Sequence, residues 1–382
     1  VTRRIVVDEN VPLAREAFKD AGEVVLVPGR GLDREVLARA DALVVRSVTR
    51  VNAQLLSGTP VRFVGTCTIG TDHLDIPWLE SAGIAWTSAP GCNARSVAEF
   101  VFASLCRLHL SRRLDLSGAP RIGIVGCGHT GSALEKIVRA LGLAVLRCDP
   151  PRQEREGKGA FLPLEELLRE SDVVSLHVPL VREGEHLTRH LIGRREISLL
   201  RPGAVLVNAS RGPVVDAAAL LEALTFGQNL STVLDVFDPE PAFPTALSAK
   251  VGQLSPHVAG YSLEGKIEGT RLVRAALGRL WRLPDWVPPT LPELPISLLA
   301  PMSEASAWDR LAALVLAVHD PCRDDASMRA LAELPDRERG AGFDRLRREY
   351  PVRREWASAR LETSGLPDEF LKLVCAAGFP TA

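Results

Sequence analysis

The stretch Ile122-Gly123-Ile124-Val125-Gly126-Cys127-Gly128-His129-Thr130-Gly131 decides how this chain is read. Apolar residues make a buried strand, and a glycine loop follows at once. Gly126 permits a tight turn, Gly128 lets the backbone approach a pyrophosphate, and Gly131 lets the next helix lie close to the strand. The helix N-terminus then offers free N–H groups to an anion. A helix over residues 132–141 and a strand over 144–148 complete the βαβ unit, with Asp149 at the end of the second strand. A carboxylate there can accept hydrogen bonds from ribose hydroxyls and would repel a 2′-phosphate. The pattern predicts a site for NAD rather than NADP, a preference tempered by Arg147 and Arg152. His129 and Thr130 are expected to contribute backbone, and Cys127 to fill space.

Strands are expected upstream at residues 5–7, 24–27, 42–45, 62–64 and 84–86, with helices at 11–21 and 34–40, an alternation that implies a parallel sheet. An amphipathic helix is expected from about residue 96 to 113. Downstream, strands at 173–176, 204–208, 232–236 and 251–254 alternate with helices at 163–169 and 216–224. A proline-rich stretch from Pro284 to Pro301 leads into helical patterns that carry Arg345, Arg347, Arg348, Arg353 and Arg354. Such a cluster is ordinarily a solvated face. The expected fold class is α/β: two Rossmann-like doubly wound parallel-sheet domains plus a small C-terminal α+β domain.

Composition sets limits on function. With 46 Lys+Arg against 47 Asp+Glu and 46% hydrophobic residues, the chain is ordinary globular material rather than a nucleic-acid binder working through bulk positive charge. Cys67, Cys92, Cys106, Cys127, Cys148, Cys322 and Cys375 form no CxxC pair, which argues against a structural metal site or a disulfide framework and for a reducing, cytoplasmic setting. No membrane span and no secretory signal are expected.

Three later segments each place polar residues at a strand end: Asn208-Ala209-Ser210-Arg211-Gly212, Asp235-Val236-Phe237-Asp238-Pro239-Glu240-Pro241 and Ser255-Pro256-His257-Val258-Ala259-Gly260. In a doubly wound sheet such loops converge on one crevice. Oxidation of a 2-hydroxy acid needs a base for the hydroxyl proton, which His257 can be. It also needs a carboxylate to orient and stabilise the imidazolium, which Glu240 can be, and a forked cation for the substrate carboxylate, which Arg211 can be. Taken singly, each residue has an ordinary structural explanation; together and downstream of the glycine loop they form a catalytic constellation.

These segments with the glycine loop resemble the NAD-dependent D-2-hydroxyacid dehydrogenases. The stretches Val45 through Asn52, Gly65 through His73 and His257 through Ser262, with Phe343 through Arg347 and Arg353 through Trp356, are similar to the branch of that family that handles a phosphorylated sugar acid. The resemblance covers essentially the whole chain. It implies NAD-dependent oxidation of 4-phospho-D-erythronate, a small phosphorylated 2-hydroxy acid, on the route to pyridoxal 5′-phosphate. It further implies Arg211, Glu240 and His257 as catalytic residues, and Ser47, Thr68 and Tyr261 at the substrate. For NAD it implies Asp149, Ser210, Arg211, Asp235 and Gly260, together with backbone at Val178, where valine stands in place of a frequent threonine. Arg46, beside Ser47, is a further candidate for the phosphorylated acid. The implied architecture is a discontinuous substrate-binding domain (1–92 and 258–284), an NAD-binding domain (93–257) and a C-terminal dimerisation domain (285–382) that makes a homodimer. There an arginine of the tail could reach the partner's substrate phosphate. Two other readings stay open: a different D-2-hydroxyacid dehydrogenase, such as one for 3-phosphoglycerate, and a non-catalytic NAD-sensing protein.

Overall fold

The computed structural model describes residues 2–157, 161–296, 305–361 and 365–380. By its contacts the chain divides into two units, Val1–Asn93 with Ser262–Leu291, and Ala94–Tyr261 with Pro292–Ala382.

In the first unit β1 (Arg4–Asp8), β2 (Glu23–Val27), β3 (Ala42–Val45), β4 (Phe63–Thr66) and β5 (Ala85–Thr87) form a parallel sheet in the order β2-β1-β3-β4-β5. Alternate residues feed opposite faces. Val6, Leu43, Val45 and Val64 enter one apolar cluster, while Ile5, Val7, Ala42, Val44 and Phe63 enter another. Both faces are covered, which is why these strands read as unbroken apolar runs. The returning helix Leu263–Trp281 lays Val273 and Leu277 on the second face. The helix expected at 34–40 is instead a series of tight turns. Leu37, Ala38 and Ala40 donate to the carbonyls three residues back, and only Leu37 and Ala40 are buried, too short an apolar stripe to hold an α-helix.

The second unit contains β6 (Ile122–Val125), β7 (Val145–Cys148), β8 (Val173–Leu176), β9 (Ala204–Asn208), β10 (Leu230–Leu234) and β11 (Gln253–Leu254), all parallel, in the order β11-β10-β9-β8-β6-β7. Strands β7 and β8 flank β6 on opposite sides, so the winding reverses at β6, and the glycine loop leaves β6 at that switch point. The following helix is His129–Ala140, starting earlier than the expected residue 132, with Gly128 as its N-cap.

Helix Ala94–Leu110 is expected to be amphipathic, but it is buried around almost its whole circumference. Helices His129–Ala140 and Ala307–Val318 both pack on it. Residues 292–382 therefore share cores with the nucleotide sheet: Leu311, Leu314, Val315, Trp356, Phe370 and Val374 lie in one apolar cluster with Phe100, Phe102, Ile122 and Leu134. This is the physical reason that the segment separated by sequence reading as a third domain groups with Ala94–Tyr261. Its α+β character is carried by four helices, Ala307–Val318, Cys322–Ala332, Asp336–Arg348 and Asp368–Ala377, and by β12 (Leu294–Ile296) paired in parallel with β13 (Ala359–Leu361). The proline-rich linker is described only to residue 296; the rest of it lies outside the described residues. The boundary near residue 258 falls later than expected, because Val258 and Ala259 donate their N–H groups to Asp235 and stay with the second unit.

Candidate active site

The glycine loop of the second unit is built for close approach. Gly126 has φ +88°, and a Cβ on Gly131 would lie 2.0 Å from the Gly126 carbonyl oxygen, so a side chain at either place would push helix and strand apart. At Gly128 nothing lies within 4 Å of where a Cβ would stand, which leaves the turn open for a ligand. Gly128 and His129 are exposed and Thr130 is half-buried. The Asp149 carboxylate supports the loop from β7, accepting the Cys127 N–H at 2.7 Å and the Arg152 N–H at 2.9 Å. Arg152 is committed to the Cys127 carbonyl and Glu156, and Arg147 lies near Glu135 and over the Phe161 ring. Neither arginine stands free to take a 2′-phosphate. Burial pushes the Cys127 thiol up to about 12, in keeping with a space-filling residue. Val178 packs against Gly126 and offers no hydroxyl. His177 beside it hydrogen-bonds Ser175 and is pushed down to about 4 by burial, so it stays neutral.

The catalytic candidates stand at the carboxyl ends of β9, β10 and β11. Asn208 clips the first of these loops: its side chain accepts from the Ser210 N–H and hydroxyl and donates to the Arg211 carbonyl. Arg211 is half-buried, with one guanidinium nitrogen donating to the Ser210 carbonyl at 2.8 Å. A Cβ on Gly212 would fall 1.8 Å from the Phe237 carbonyl oxygen, so only glycine lets the Arg211 loop press against the loop that carries Glu240. Glu240 then reaches His257: its carboxylate lies 2.8 Å from His257 Nδ1 and also accepts the Phe237 N–H. Burial works to raise the Glu240 pKa. Attraction to a protonated His257, the hydrogen bonds from His257 and Phe237 and the charge of Arg347 outweigh it and hold the carboxyl below the usual range.

Asp235 is almost fully enclosed and holds the histidine loop in place, accepting from Ser255 Oγ at 2.6 Å, Val258 N–H at 2.8 Å and Ala259 N–H at 3.0 Å. Burial pushes its carboxyl up, against the pull of His257 and these donors. His257 itself has φ 58°, a left-handed backbone that this clamp sustains. Just beyond, Gly260 and Tyr261 are half-buried, and the Tyr261 ring meets Tyr350 edge-on at 5.8 Å. The structure thus brings together Arg211, Glu240, His257, Asp235 and Tyr261 through a continuous set of loop contacts. Sequence reading assigns no role to Asn208, Gly212 or Ser255, although all three stand inside the quoted segments.

In the first unit Arg46 and Ser47 follow β3, and Thr68 follows β4, its neighbour in the sheet. Ser47 is exposed. Thr68 shares a hydroxyl contact of 2.8 Å with Thr66 and donates to the Gly70 carbonyl, while His73 lies 2.9 Å from Thr66 Oγ1. Arg46 donates to the Asn10 carbonyl. Burial pushes the Cys67 thiol up to about 12, so it is not a nucleophile here.

Among the described residues no cluster of His, Cys, Asp and Glu could hold a metal ion, and no helix is long and apolar enough to cross a membrane. No disulfide links two cysteines among the described residues.

Comparison with known proteins adds to this geometry. Residues 109–259 match the family described as D-isomer specific 2-hydroxyacid dehydrogenase, NAD binding domain, and residues 290–378 match a domain of unknown function. An erythronate-4-phosphate dehydrogenase of Azotobacter vinelandii is 48% identical over 98% of this chain and 99% of its own. The crystal structure of a D-lactate dehydrogenase from Aquifex aeolicus, complexed with NAD and lactic acid, is 26% identical with a TM-score of 0.60, covering 73% of this chain and 96% of its own. A 3-phosphoglycerate dehydrogenase of Entamoeba histolytica with bound NAD+ shares the fold at 23% identity, with a TM-score of 0.63 over 74% of this chain and 96% of its own.

Proposed function

Because the chain belongs to the erythronate-4-phosphate dehydrogenases, a branch of the D-isomer specific 2-hydroxyacid dehydrogenase family, we propose that it oxidises 4-phospho-D-erythronate to 2-oxo-3-hydroxy-4-phosphobutanoate with NAD, in pyridoxal 5′-phosphate synthesis. The observation that carries this reading is the 2.8 Å contact between Glu240 and His257 Nδ1, in a sheet whose switch point bears an open glycine loop. With Nδ1 given to Glu240, His257 has Nε2 left to take the C2 hydroxyl proton. The Glu240 carboxylate stabilises the resulting imidazolium. Arg211 grips the C1 carboxylate with its fork and polarises the adjoining oxygen.

NAD, when bound, supplies the hydride acceptor. The residues fit it: Gly126, Gly128, His129, Thr130 and Gly131 offer backbone to the pyrophosphate, and Asp149 retains acceptor capacity for ribose hydroxyls. Val178, Ser210, Arg211, Asp235 and Gly260 complete the contacts, Val178 through its backbone alone. On the substrate side the contacts of this reading are Ser47, Thr68, Arg46 and Tyr261. The homodimer and the cytoplasmic setting belong to the same proposal, the latter supported by seven scattered cysteines without a CxxC pair.

The test is an assay of purified full-length protein with NAD+ and an added 2-oxo acid acceptor, which keeps turnover going if reduced cofactor is released slowly. The kcat/KM for 4-phospho-D-erythronate should exceed that for erythronate and for 3-phosphoglycerate by about 100-fold or more. Equal values for the phosphorylated and unphosphorylated acids would remove the phosphate-specific reading.

A further inference from the structure

The C-terminal segment is rich in arginines, with Arg339 and Arg353 buried, and most have an evident occupation. Arg353 gives its donors to the carbonyls of Val258, Ser96 and Ala259 and to the Ser96 hydroxyl. Arg339 bonds the Phe243 carbonyl and pairs with Asp336. Arg329 pairs with Asp325, and Arg348 with Glu349. Arg347 differs. It projects from helix Asp336–Arg348, is half-buried, and takes part in no ion pair among the described residues. Its guanidinium hydrogen-bonds Tyr261 and lies 5.8 Å from that ring's centroid, while its Nε is enclosed with no hydrogen-bond partner. Its charge is felt by Glu240, the residue that holds His257.

A cation withdrawn from water is ordinarily matched by a carboxylate or a full set of acceptors. Arg347 feels the charges of Glu240 and Asp235 but makes no ion pair with either, and it sits beside the tyrosine next to the histidine loop, a place prepared for an anion brought from outside. The proposed substrate has two anionic ends. Arg211 serves the carboxylate next to the reacting carbon, and a fork-shaped donor matches phosphate equally well.

We infer that Arg347 binds the phosphate of the substrate within its own chain, with Tyr261 holding the guanidinium in place, so that the C-terminal segment sets specificity for the phosphorylated acid. The inference rests on the functional reading above. It differs from the expectation that a tail arginine serves the partner's site, because Arg347 lies in the same unit as His257 and Glu240.

The experiment compares wild type, Arg347→Gln and Arg347→Lys as full-length proteins, measuring kcat and KM on 4-phospho-D-erythronate and on erythronate, NADH binding by fluorescence and thermal unfolding. Arg347→Gln should lower kcat/KM for the phosphorylated acid by about 100-fold, mostly through KM, and for erythronate by less than about 3-fold. Arg347→Lys should lose about 10-fold on the phosphorylated acid alone, since it keeps charge without the fork. Equal losses on both acids, or no loss on either, overturn the inference while leaving the dehydrogenase reading intact. A wild-type protein that does not prefer the phosphorylated acid overturns both.

Discussion

Both units present loops at the carboxyl ends of parallel strands, yet the two sets of loops are stocked differently. Those of the second unit carry buried or half-buried charge, with Asp235 enclosed by three donors and Glu240 in contact with His257. Those of the first unit carry hydroxyls, Ser47 in the open and Thr68 tied to Thr66 and Gly70. Under the proposed function the difference means that one architecture supports two tasks. Moving a proton requires an imidazole held at a fixed angle by a carboxylate that stays ionised, whereas gripping a hydroxylated, phosphorylated acid requires donors and acceptors in number.

Removing the base should have the largest effect. His257→Asn is expected to lower kcat by about 1,000-fold or more, in line with the worth of general base catalysis, while NADH fluorescence binding stays within about 2-fold. Turnover at the wild-type rate would exclude His257 and erase the distinction between the two units. Ser47→Ala tests the other side of the contrast and should act on binding alone. Its KM for 4-phospho-D-erythronate should rise by about 3- to 10-fold with kcat and melting temperature unchanged, and a fall in kcat instead would show that the first unit shares in the chemistry.

The smallest effect concerns the support beneath Tyr261. Tyr350 packs edge-on against that ring and donates its hydroxyl to Asp324 at 3.0 Å. Burial, chiefly, pushes Asp324 up from an ordinary carboxylate value to about 7. A carboxyl whose pKa is raised by folding binds its proton more tightly in the native state. It therefore stabilises the fold at low pH, and that contribution is lost as pH climbs from about 4 to about 7. Denaturant unfolding across that range should show wild-type stability declining relative to Asp324→Asn, whose amide has no proton to lose. Parallel curves for the two proteins would place the Asp324 pKa at its ordinary value.

Much of the site was legible because its residues announce themselves by position. Gly126, Gly128 and Gly131 between strand and helix, Asp149 at the next strand end, and Arg211, Glu240 and His257 at later ones follow from short-range pattern and the rule for doubly wound sheets. Residues 34–40 read as a helix but form turns, because local helical spacing is a weak guide where only Leu37 and Ala40 are fully buried. Residues 96–113 read as an amphipathic helix, yet the polar Glu99, Ser104 and His109 of Ala94–Leu110 are buried too. In the fold Glu99 receives Arg95 from one turn back and the Trp356 N–H, and Ser104 receives Gln253, the last two being partners far away in the chain.

By itself the sequence determined the two parallel α/β sheets, the dinucleotide turn and which strand-end loops carry Arg211, Glu240 and His257, because these depend on periodicity and on chemistry within a few residues. Only the tertiary structure decided that Gly212 lets the arginine loop meet the glutamate loop, that Asp235 secures the histidine, and that the C-terminal helices join the nucleotide unit. It alone separated Arg347 from its basic neighbours, since the worth of a charge is set by how much water and how many counter-charges surround it, and both are counted in space rather than along the chain.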